Sequence, residues 1–296
     1  MNKGIFYIII SGLCFVVVNF LVKLLGSGNE QLLIPNLQIY PAHELVLARA
    51  IVSFSIGLFI IKKRKLPLLG INRKWLLIRG LSGTIALTIF FYTIHHLPFA
   101  IASIIQYLAP IFTIIIAMIL LKENVKRLQW PFIILAFLGV LLIGLDKVFQ
   151  APLNTKEISF FWFAMGVVSA ALSGLAYTAI MKLKTTDAPI SIVFFFHMIA
   201  IPLMTLMCLF EFTMPRGVEW FILLLIGIFT QFAQILLTKA LHLGTASTIT
   251  PFQYMSAIYA ILIGYFLFDE QLSIIVYLGI AIVMLSVIVN AMLKSK

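Results

Sequence analysis

The sequence predicts an all-α polytopic membrane protein with ten transmembrane helices, arranged as two inverted five-helix repeats. Three observations lead to this fold class: an apolar composition, long apolar segments along the whole chain, and an internal repeat. Of the 296 residues, 62% are hydrophobic and 10% are charged. Soluble domains carry about 25% charged residues. This chain therefore has too little polar surface to face water on all sides.

Apolar segments of about 18 residues or more recur along the chain, and each is long enough to cross about 30 Å of hydrocarbon. The ten predicted spans are 4–25, 42–61, 75–95, 98–121, 129–148, 158–181, 190–211, 218–240, 245–268 and 273–293. A β-barrel would instead show alternating segments of about ten residues. The first segment could be a signal peptide, but its apolar core is too long and no small-residue cleavage site follows it. We therefore expect it to stay as the first span.

The net charge of +11 could indicate nucleic-acid binding or an orientation in the membrane. With ten spans, both termini and the loops after even-numbered spans share one side. That side holds fifteen basic residues: Lys3, Lys62, Lys63, Arg64, Lys65, Arg73, Lys74, Lys122, Lys126, Arg127, Lys182, Lys184, Lys239, Lys294 and Lys296. The other side holds four: Lys23, Lys147, Lys156 and Arg216. This bias follows the positive-inside rule, so we expect a plasma (inner) membrane protein with cytoplasmic termini and no nucleic-acid partner.

This orientation predicts the labelling of introduced cysteines. A cysteine at Lys65, in the loop 62–74, should not react with a membrane-impermeant maleimide added outside sealed cells, because that loop is expected in the cytoplasm. A cysteine at Arg216 should react and serves as the control. Strong labelling at position 65 would reverse the orientation.

An internal repeat appears when the chain is shifted by 147 residues without gaps. Segment 97–123 then falls on segment 244–270, with seven of 27 positions identical. The shift pairs Gln106 with Gln253, Tyr107 with Tyr254, Ser103 with Thr250, and Glu123 with Glu270. Two repeats of five spans, residues 1–148 and 158–293, would lie inverted in the membrane because five is odd. Inverted repeats build secondary transporters whose site lies near the midplane between the repeats.

Short motifs carry a resemblance to a known family. They are ELVLARA at 44–50, LIRG at 77–80, A-x-A-x-x-x-x-x-L-x-P across 100–110, LLKE at 120–123, and FLFDE at the end of the second copy. With these motifs, nearly the whole chain resembles the drug/metabolite transporter superfamily, of the ten-span EamA type. The resemblance implies a central cavity formed by spans 1–4 and 6–9, with spans 5 and 10 as support or as a dimer contact. The stretch 245–270 with LIRG is most similar to the branch that includes S-adenosylmethionine carriers.

The motifs that an enzyme would need are missing from the sequence. It has no Gly-rich phosphate loop, no His-Glu-x-x-His and no Gly-x-Ser-x-Gly, so a membrane enzyme or a receptor is the weaker hypothesis. We predict a secondary transporter that moves a small polar metabolite, an amino acid or a related solute, by alternating access. Uptake of cationic solutes similar to S-adenosylmethionine is the alternative. We expect no cofactor and no metal, and partners limited to substrate, lipid and, as a homodimer, a second copy.

Polar side chains inside apolar spans are the candidate substrate-binding residues, because such groups face protein or a wet cavity rather than lipid. In span 4, Ser103, Gln106, Pro110 and Thr113 follow helical spacing along one face. The full set of candidates is Asn19, Arg49, Tyr92, Ser103, Gln106, Tyr107, Tyr177, His197, Gln231, Gln234, Thr250, Gln253 and Tyr254. Hydrogen bonds between helices are the alternative role. The matched positions of the two Gln-Tyr pairs favour a cavity.

Charged residues near the spans have different expected roles. Arg49 lies about seven residues inside span 2, so it should face the interior and hold a substrate anion or pair with Glu44 or another helix. Glu44 is the candidate for proton coupling, with a solvated interfacial position as the alternative. Arg79 is expected to reach the headgroups from the cytoplasmic end of span 3. Glu123 and Glu270 are expected to cap helix-to-helix turns.

Overall fold

The computed structural model describes residues 3–26, 37–97, 102, 105–150, 160–259 and 273–295. Regular structure in these ranges is entirely helical. The helices are α1 (Lys3–Gly26), α2 (Ala42–Arg64), α3 (Arg73–His96), α4 (Ala109–Leu120), α5 (Trp130–Gln150), α6 (Phe160–Leu183), α7 (Pro189–Cys208), α8 (Glu219–Leu243), the short α9 (Ala246–Ile249) and α10 (Ile274–Ser295). A 3₁₀ turn at Arg127–Gln129 precedes α5, and another at Thr250–Tyr254 follows α9.

Six of the described helices are long and apolar enough to cross a bilayer. They are α1, α2, α3, α6, α7 and α8, with 20 to 25 residues each. At a rise of about 1.5 Å per residue, helices of this length span the hydrocarbon core. The apolar parts of α5 and α10 are shorter within the described residues. These helices are those of a multi-pass membrane protein.

The segments predicted as spans 4 and 9 are broken rather than continuous in their described parts. Tyr107 and Leu108 form a turn, and α4 begins beyond it with Pro110 in its first turn. In the second copy, the four residues of α9 lead into a 3₁₀ turn that contains Pro251. Proline has no N–H to donate, so it favours the start of a helix over its interior.

The breaks correct one prediction about span 4. The turn at Tyr107 and Leu108 separates Gln106 from Pro110 and Thr113, so these side chains do not share one continuous helix face. Ser103, which would start that face, and Glu270 lie outside the described residues. The two prolines are not at matched positions, but the breaks overlap under the 147-residue shift, at Tyr107 and Tyr254.

The long helices pack in pairs. Helix α1 packs on α8, α3 on α6, α2 on α7, and α5 on α10, while α4 packs on α6. The two larger of three apolar clusters among the described residues fill the interior at opposite ends of the bundle. One contains Leu76 at the start of α3 and Leu241 at the end of α8. The other contains Phe91 near the end of α3 and Ile222 at the start of α8. The middle of the bundle, between these clusters, is left for polar groups.

Two glycines allow neighbouring helices to approach closely. A Cβ on Gly227 of α8 would lie 2.3 Å from Cβ of Val52 on α2. A Cβ on Gly80 of α3 would lie 2.3 Å from Cδ1 of Ile199 on α7. Only a residue without a side chain fits such contacts, which are common between membrane helices.

Serine hydroxyls join two further helix pairs through the backbone. Ser11 Oγ on α1 donates to the Ala233 carbonyl on α8 at 2.8 Å. Ser169 Oγ on α6 donates to the Ala86 carbonyl on α3 at 2.7 Å. A hydroxyl that bonds a carbonyl of the adjacent helix satisfies its own donor and fixes the two helices in register.

A carboxylate at the start of α8 forms what we call the Glu219 clamp. Its Oε1 accepts from the Gln38 backbone N–H at 2.7 Å. Its Oε2 accepts from Tyr40 Oη at 2.6 Å, Gln38 Nε2 at 2.8 Å and the Arg216 backbone N–H at 2.7 Å. Burial and the bond to Glu219 raise the pKa of Tyr40, so its hydroxyl stays a donor. The clamp ties the segment before α2 to the start of α8.

A second carboxylate forms the Asp187 clamp, between α6 and α7. Asp187 Oδ1 accepts from the Ile71 backbone N–H at 2.6 Å, and Oδ2 accepts from the Asn72 backbone N–H at 3.1 Å. Thr186 Oγ1 donates to Oδ2 at 2.7 Å. This clamp ties the segment before α3 to the start of α7.

Candidate functional site

A polar cavity of about 150 Å³ lies between the two apolar clusters. Seven predicted site residues line it: Asn19, Arg49, Gln106, Tyr107, Tyr177, Gln234 and Gln253. They come from α1, α2, α6 and α8 and from the broken segments beside α4 and α9. A cavity of this size holds several waters or the polar part of a small solute. Both halves of the chain therefore contribute polar side chains to one cavity.

Arg49 reaches the cavity from α2 and is 2% exposed. Its guanidinium carbon lies 5.7 Å from the ring centre of Phe91. Its Nε and Nη2 are buried and have no hydrogen-bond partner among the described residues. Arg49 therefore presents unused donors in the middle of the bundle.

Arg79 also lines the cavity, so the prediction that it reaches the headgroups is wrong. Its side chain is 2% exposed and its Nη2 donates to Gln234 Oε1 at 3.0 Å. The guanidinium carbon lies 4.4 Å over the Phe196 ring, in a cation–π contact. Gly83 leaves room for it, because a Cβ there would lie 2.0 Å from Arg79 Nη1. The Gln234 amide and the Phe196 ring contact the Arg79 guanidinium, and the missing side chain of Gly83 leaves space for it, so the guanidinium stays buried in the bundle.

Glu44 does not form the proposed pair with Arg49. Its Oε2 accepts from the Thr213 backbone N–H at 2.8 Å, at the start of α2, and its residue is not part of the cavity wall. Among the cavity-lining residues that the structure describes, none is Asp or Glu. The role of Glu44 in proton coupling stays a prediction.

The matched glutamines have different surroundings. Gln106 Nε2 donates to Ser173 Oγ at 3.1 Å, and Gln106 Oε1 accepts from Ser169 Oγ at 3.3 Å. Gln253 Nε2 is buried and has no partner among the described residues. Gln106 is therefore held by α6 through its bond to Ser173, with Ser169 Oγ sharing its hydrogen between the Ala86 carbonyl and Gln106 Oε1. Gln253 instead has a buried donor without a partner among the described residues.

Five other predicted site residues do not line the cavity: Tyr92, His197, Gln231, Thr250 and Tyr254. Thr250 Oγ1 donates to the Ala246 carbonyl at 2.8 Å, within its own segment. His197 Nδ1 bonds the Val193 carbonyl at 2.8 Å, also within its own helix. Local backbone bonds of this kind satisfy a polar group without a ligand.

The remaining three pack against neighbouring side chains. Tyr92 Oη lies 2.8 Å from His43 Nδ1, and its ring stacks on Trp162. Tyr254 is fully buried and packs edge-on against Tyr107. Gln231 is 2% exposed between α8 and α2.

Residues that the sequence reasoning missed also line the cavity. They are Arg79, Ser173, Ser256 and the aromatic residues Phe15, Phe90 and Phe196. Arg79 had a detectable signal, since a charge within a span is expected to face protein. The serines had none, because isolated hydroxyls often bond their own helix backbone.

The sequence profile of the EamA-like transporter family matches residues 2–145 and again residues 160–292. The chain belongs to the EamA-like transporter family. The predicted resemblance is confirmed, and membership points to a role other than catalysis.

Several relatives of this chain are named for a substrate, and two of them are an exporter and an uptake transporter. The pseudopaline exporter CntI of Pseudomonas aeruginosa is 27% identical over 88% of this chain and 85% of its own length. The S-adenosylmethionine uptake transporter of Rickettsia prowazekii is 21% identical over 65% of this chain and 63% of its own length. A solved crystal structure superposes with a TM-score of 0.79 over 99% of this chain and 98% of the other, at 14% identity. That likeness concerns the fold.

Proposed function

We propose that this EamA-like protein is a secondary transporter that moves a small polar metabolite by alternating access between two inverted five-span halves. The observation that carries the proposal is the cavity with polar side chains in its wall, which lies at mid-length of the helices and is lined from both halves. Binding sites near the midplane at a repeat interface are typical of transporters built this way. Amino acids and related solutes are the first candidates for substrate.

Matched contacts in the two halves support the inverted repeat. Moving Val52 and Gly80 by 147 residues gives Ile199 and Gly227. The contact of Gly227 with Val52 therefore has a counterpart in the contact of Gly80 with Ile199. The Ser11 and Ser169 bonds resemble each other in part, because their acceptors, Ala86 and Ala233, are 147 residues apart, whereas the two serines are 158 residues apart. When a pseudo-two-fold axis relates two halves, each contact between them recurs with the roles of the halves exchanged.

The two clamps are also related by the 147-residue shift, and this relation supports alternating access. A shift of 147 residues takes Tyr40 to Asp187 and Asn72 to Glu219. One clamp joins Tyr40 to Glu219, and the other joins Asp187 to Asn72. They sit at opposite ends of the bundle, and each joins one half to the other. Releasing one clamp while the other holds would open the cavity to one side at a time.

Contacts between connecting segments support the predicted sidedness. Glu123 Oε2 accepts from the Ala246 backbone N–H at 2.9 Å, so it reaches α9 in the other half. Lys126 Nζ donates to the Leu293 carbonyl at 3.1 Å. These segments are all predicted on the cytoplasmic side. On the other side, Gln38 Nε2 donates to the Met214 carbonyl at 2.9 Å.

The relatives support transport in either direction. One is an exporter of a metabolite and another is an uptake transporter for S-adenosylmethionine. The second relative keeps cationic solutes as the alternative substrate class for this chain.

Reconstituted vesicles test the proposed function. Labelled amino acids and S-adenosylmethionine are offered to vesicles with and without the purified protein, and uptake is measured per folded molecule. We expect at least one solute to enter faster with the protein. Gln253→Ala should lower that transport about five- to tenfold without changing the unfolding temperature, because it removes a free donor worth about 1 kcal/mol.

Gln106→Ala is the matched comparison. It should lower the unfolding temperature, because it breaks the bond to Ser173 and removes the contact with Ser169 on α6. Vesicles that take up no offered solute above the protein-free rate would argue against transport of these classes. Unchanged transport by folded Gln253→Ala would instead remove that amide from the site.

A further inference from the structure

We infer that the cavity is built for an organic anion, with the guanidinium groups of Arg49 and Arg79 holding carboxylate or phosphate oxygens of the substrate. This inference rests on the transport function proposed above and narrows its substrate class. It favours solutes with a net negative charge over the cationic solutes that the sequence analysis kept as the alternative.

The first argument is the charge of the cavity. Arg49 and Arg79 are each 2% exposed and both line it. No carboxylate is present among the lining residues that the structure describes. Arginine stays protonated even when buried, and a buried charge is costly unless an opposite charge or good hydrogen bonds compensate it. The cavity therefore carries positive charge that a bound anion would neutralise.

The second argument is the set of unused donors. Arg49 Nε and Nη2 and Arg79 Nε have no partner among the described residues, and Gln253 Nε2 is in the same position. The Gln234 amide oxygen, a neutral group, accepts one bond from Arg79. The planar fork of a guanidinium matches the two oxygens of a carboxylate or phosphate. These donors are buried without an acceptor at residues whose side chains line the cavity.

The third argument concerns the aromatic rings that lie beside the two guanidinium groups. Phe196 lies under Arg79 and Phe91 lies near Arg49. A ring face attracts a cation and limits its rotation, but it does not neutralise the charge. The rings hold the guanidinium groups in place before substrate arrives, which reduces the ordering cost of binding. A cationic solute would add a further positive charge to the same space of low dielectric constant.

The test uses the purified full-length protein in detergent and measures its unfolding temperature. The probes are succinate, inorganic phosphate, S-adenosylmethionine and succinamide, the last being the neutral diamide with the carbon skeleton of succinate. Ionic strength is matched with chloride. The variants are Arg49→Gln and Arg79→Gln, and the control is Arg73→Gln, an exposed arginine on the same helix as Arg79.

We expect succinate or phosphate to raise the unfolding temperature of the parent more than succinamide does. That difference should vanish in Arg49→Gln and Arg79→Gln and persist in Arg73→Gln. Protection by succinate assigns carboxylate oxygens, and protection by phosphate alone assigns a phosphate group. Without any solute, both cavity variants should unfold a few degrees above the parent, because each removes an uncompensated charge.

The inference is overturned if the anions protect the parent no better than succinamide, or if their protection persists in both cavity variants. It is also overturned if both variants unfold below the parent without solute, since the arginines would then be structural. Protection by S-adenosylmethionine alone would overturn the anion class while leaving transport intact. Failure of transport itself appears separately, in the vesicle experiment.

Discussion

Glu219→Gln should open the cavity to the predicted outer side. The change keeps the shape of the side chain but removes its charge, and it places an NH₂ group where donors now converge from Tyr40, Gln38 and Arg216. Hydrogen bonds to a charged group contribute about 1.5–3 kcal/mol each. Losing about 2–3 kcal/mol from the closed arrangement would raise the ratio of open to closed molecules roughly 30- to 160-fold.

Labelling of a cavity residue measures this opening. The reporter is Ser256→Cys, which lines the cavity, in a chain whose Cys14 and Cys208 are changed to Ser. A membrane-impermeant maleimide outside sealed cells should react much faster in the Glu219→Gln background. Asp187→Asn is the matched control and should slow labelling from outside while speeding it in inside-out vesicles. If both changes raise outside labelling alike, the clamps do not act as alternating gates.

Gly227→Ala should produce the largest loss of stability among small substitutions. The new Cβ would lie 2.3 Å from Val52 Cβ, with both Val52 methyls within 2.9 Å. Val52 Cβ is fixed to the α2 backbone and does not move when the side chain rotates, so α8 and α2 must separate. Overpacking of this kind costs about 1–3 kcal/mol or more. We expect a clear fall in the unfolding temperature of the detergent-purified protein.

Gly80→Ala is the matched change in the other half and should cost less. Its Cβ would meet Ile199 Cδ1, the far end of a flexible side chain, and the next atom is 3.2 Å away. Val52→Ala combined with Gly227→Ala should recover part of the lost stability. A Gly80→Ala protein that is less stable than Gly227→Ala would contradict this ranking.

The membrane class and the family follow from local sequence. Hydrophobic length decides whether a helix can span a bilayer, and six helices meet that length in the structure. The EamA motifs lie in contiguous stretches and the family match confirms them. The ten-span count, the inverted order and the orientation stay predictions, which the labelling experiments address.

The site was predicted in part. Arg49 and Gln253 were identified because polar groups in a span must face protein or water, and the structure places both at the cavity. The repeat alignment treated Gln106 and Gln253 as equivalent. They differ because Ser169 and Ser173 bind Gln106, and those serines belong to a helix more than 60 residues along the chain.

Sequence alone determined that this chain is helical, lies in the membrane and belongs to its family, because length, apolarity and motif are properties of contiguous residues. Tertiary structure decided where Arg79 points. Its depth in α3 allowed a path to the headgroups, but Gln234, Phe196 and the space beside Gly83 hold it inside. A side chain takes the direction in which its charge finds partners, and two of those partners come from helices distant in sequence.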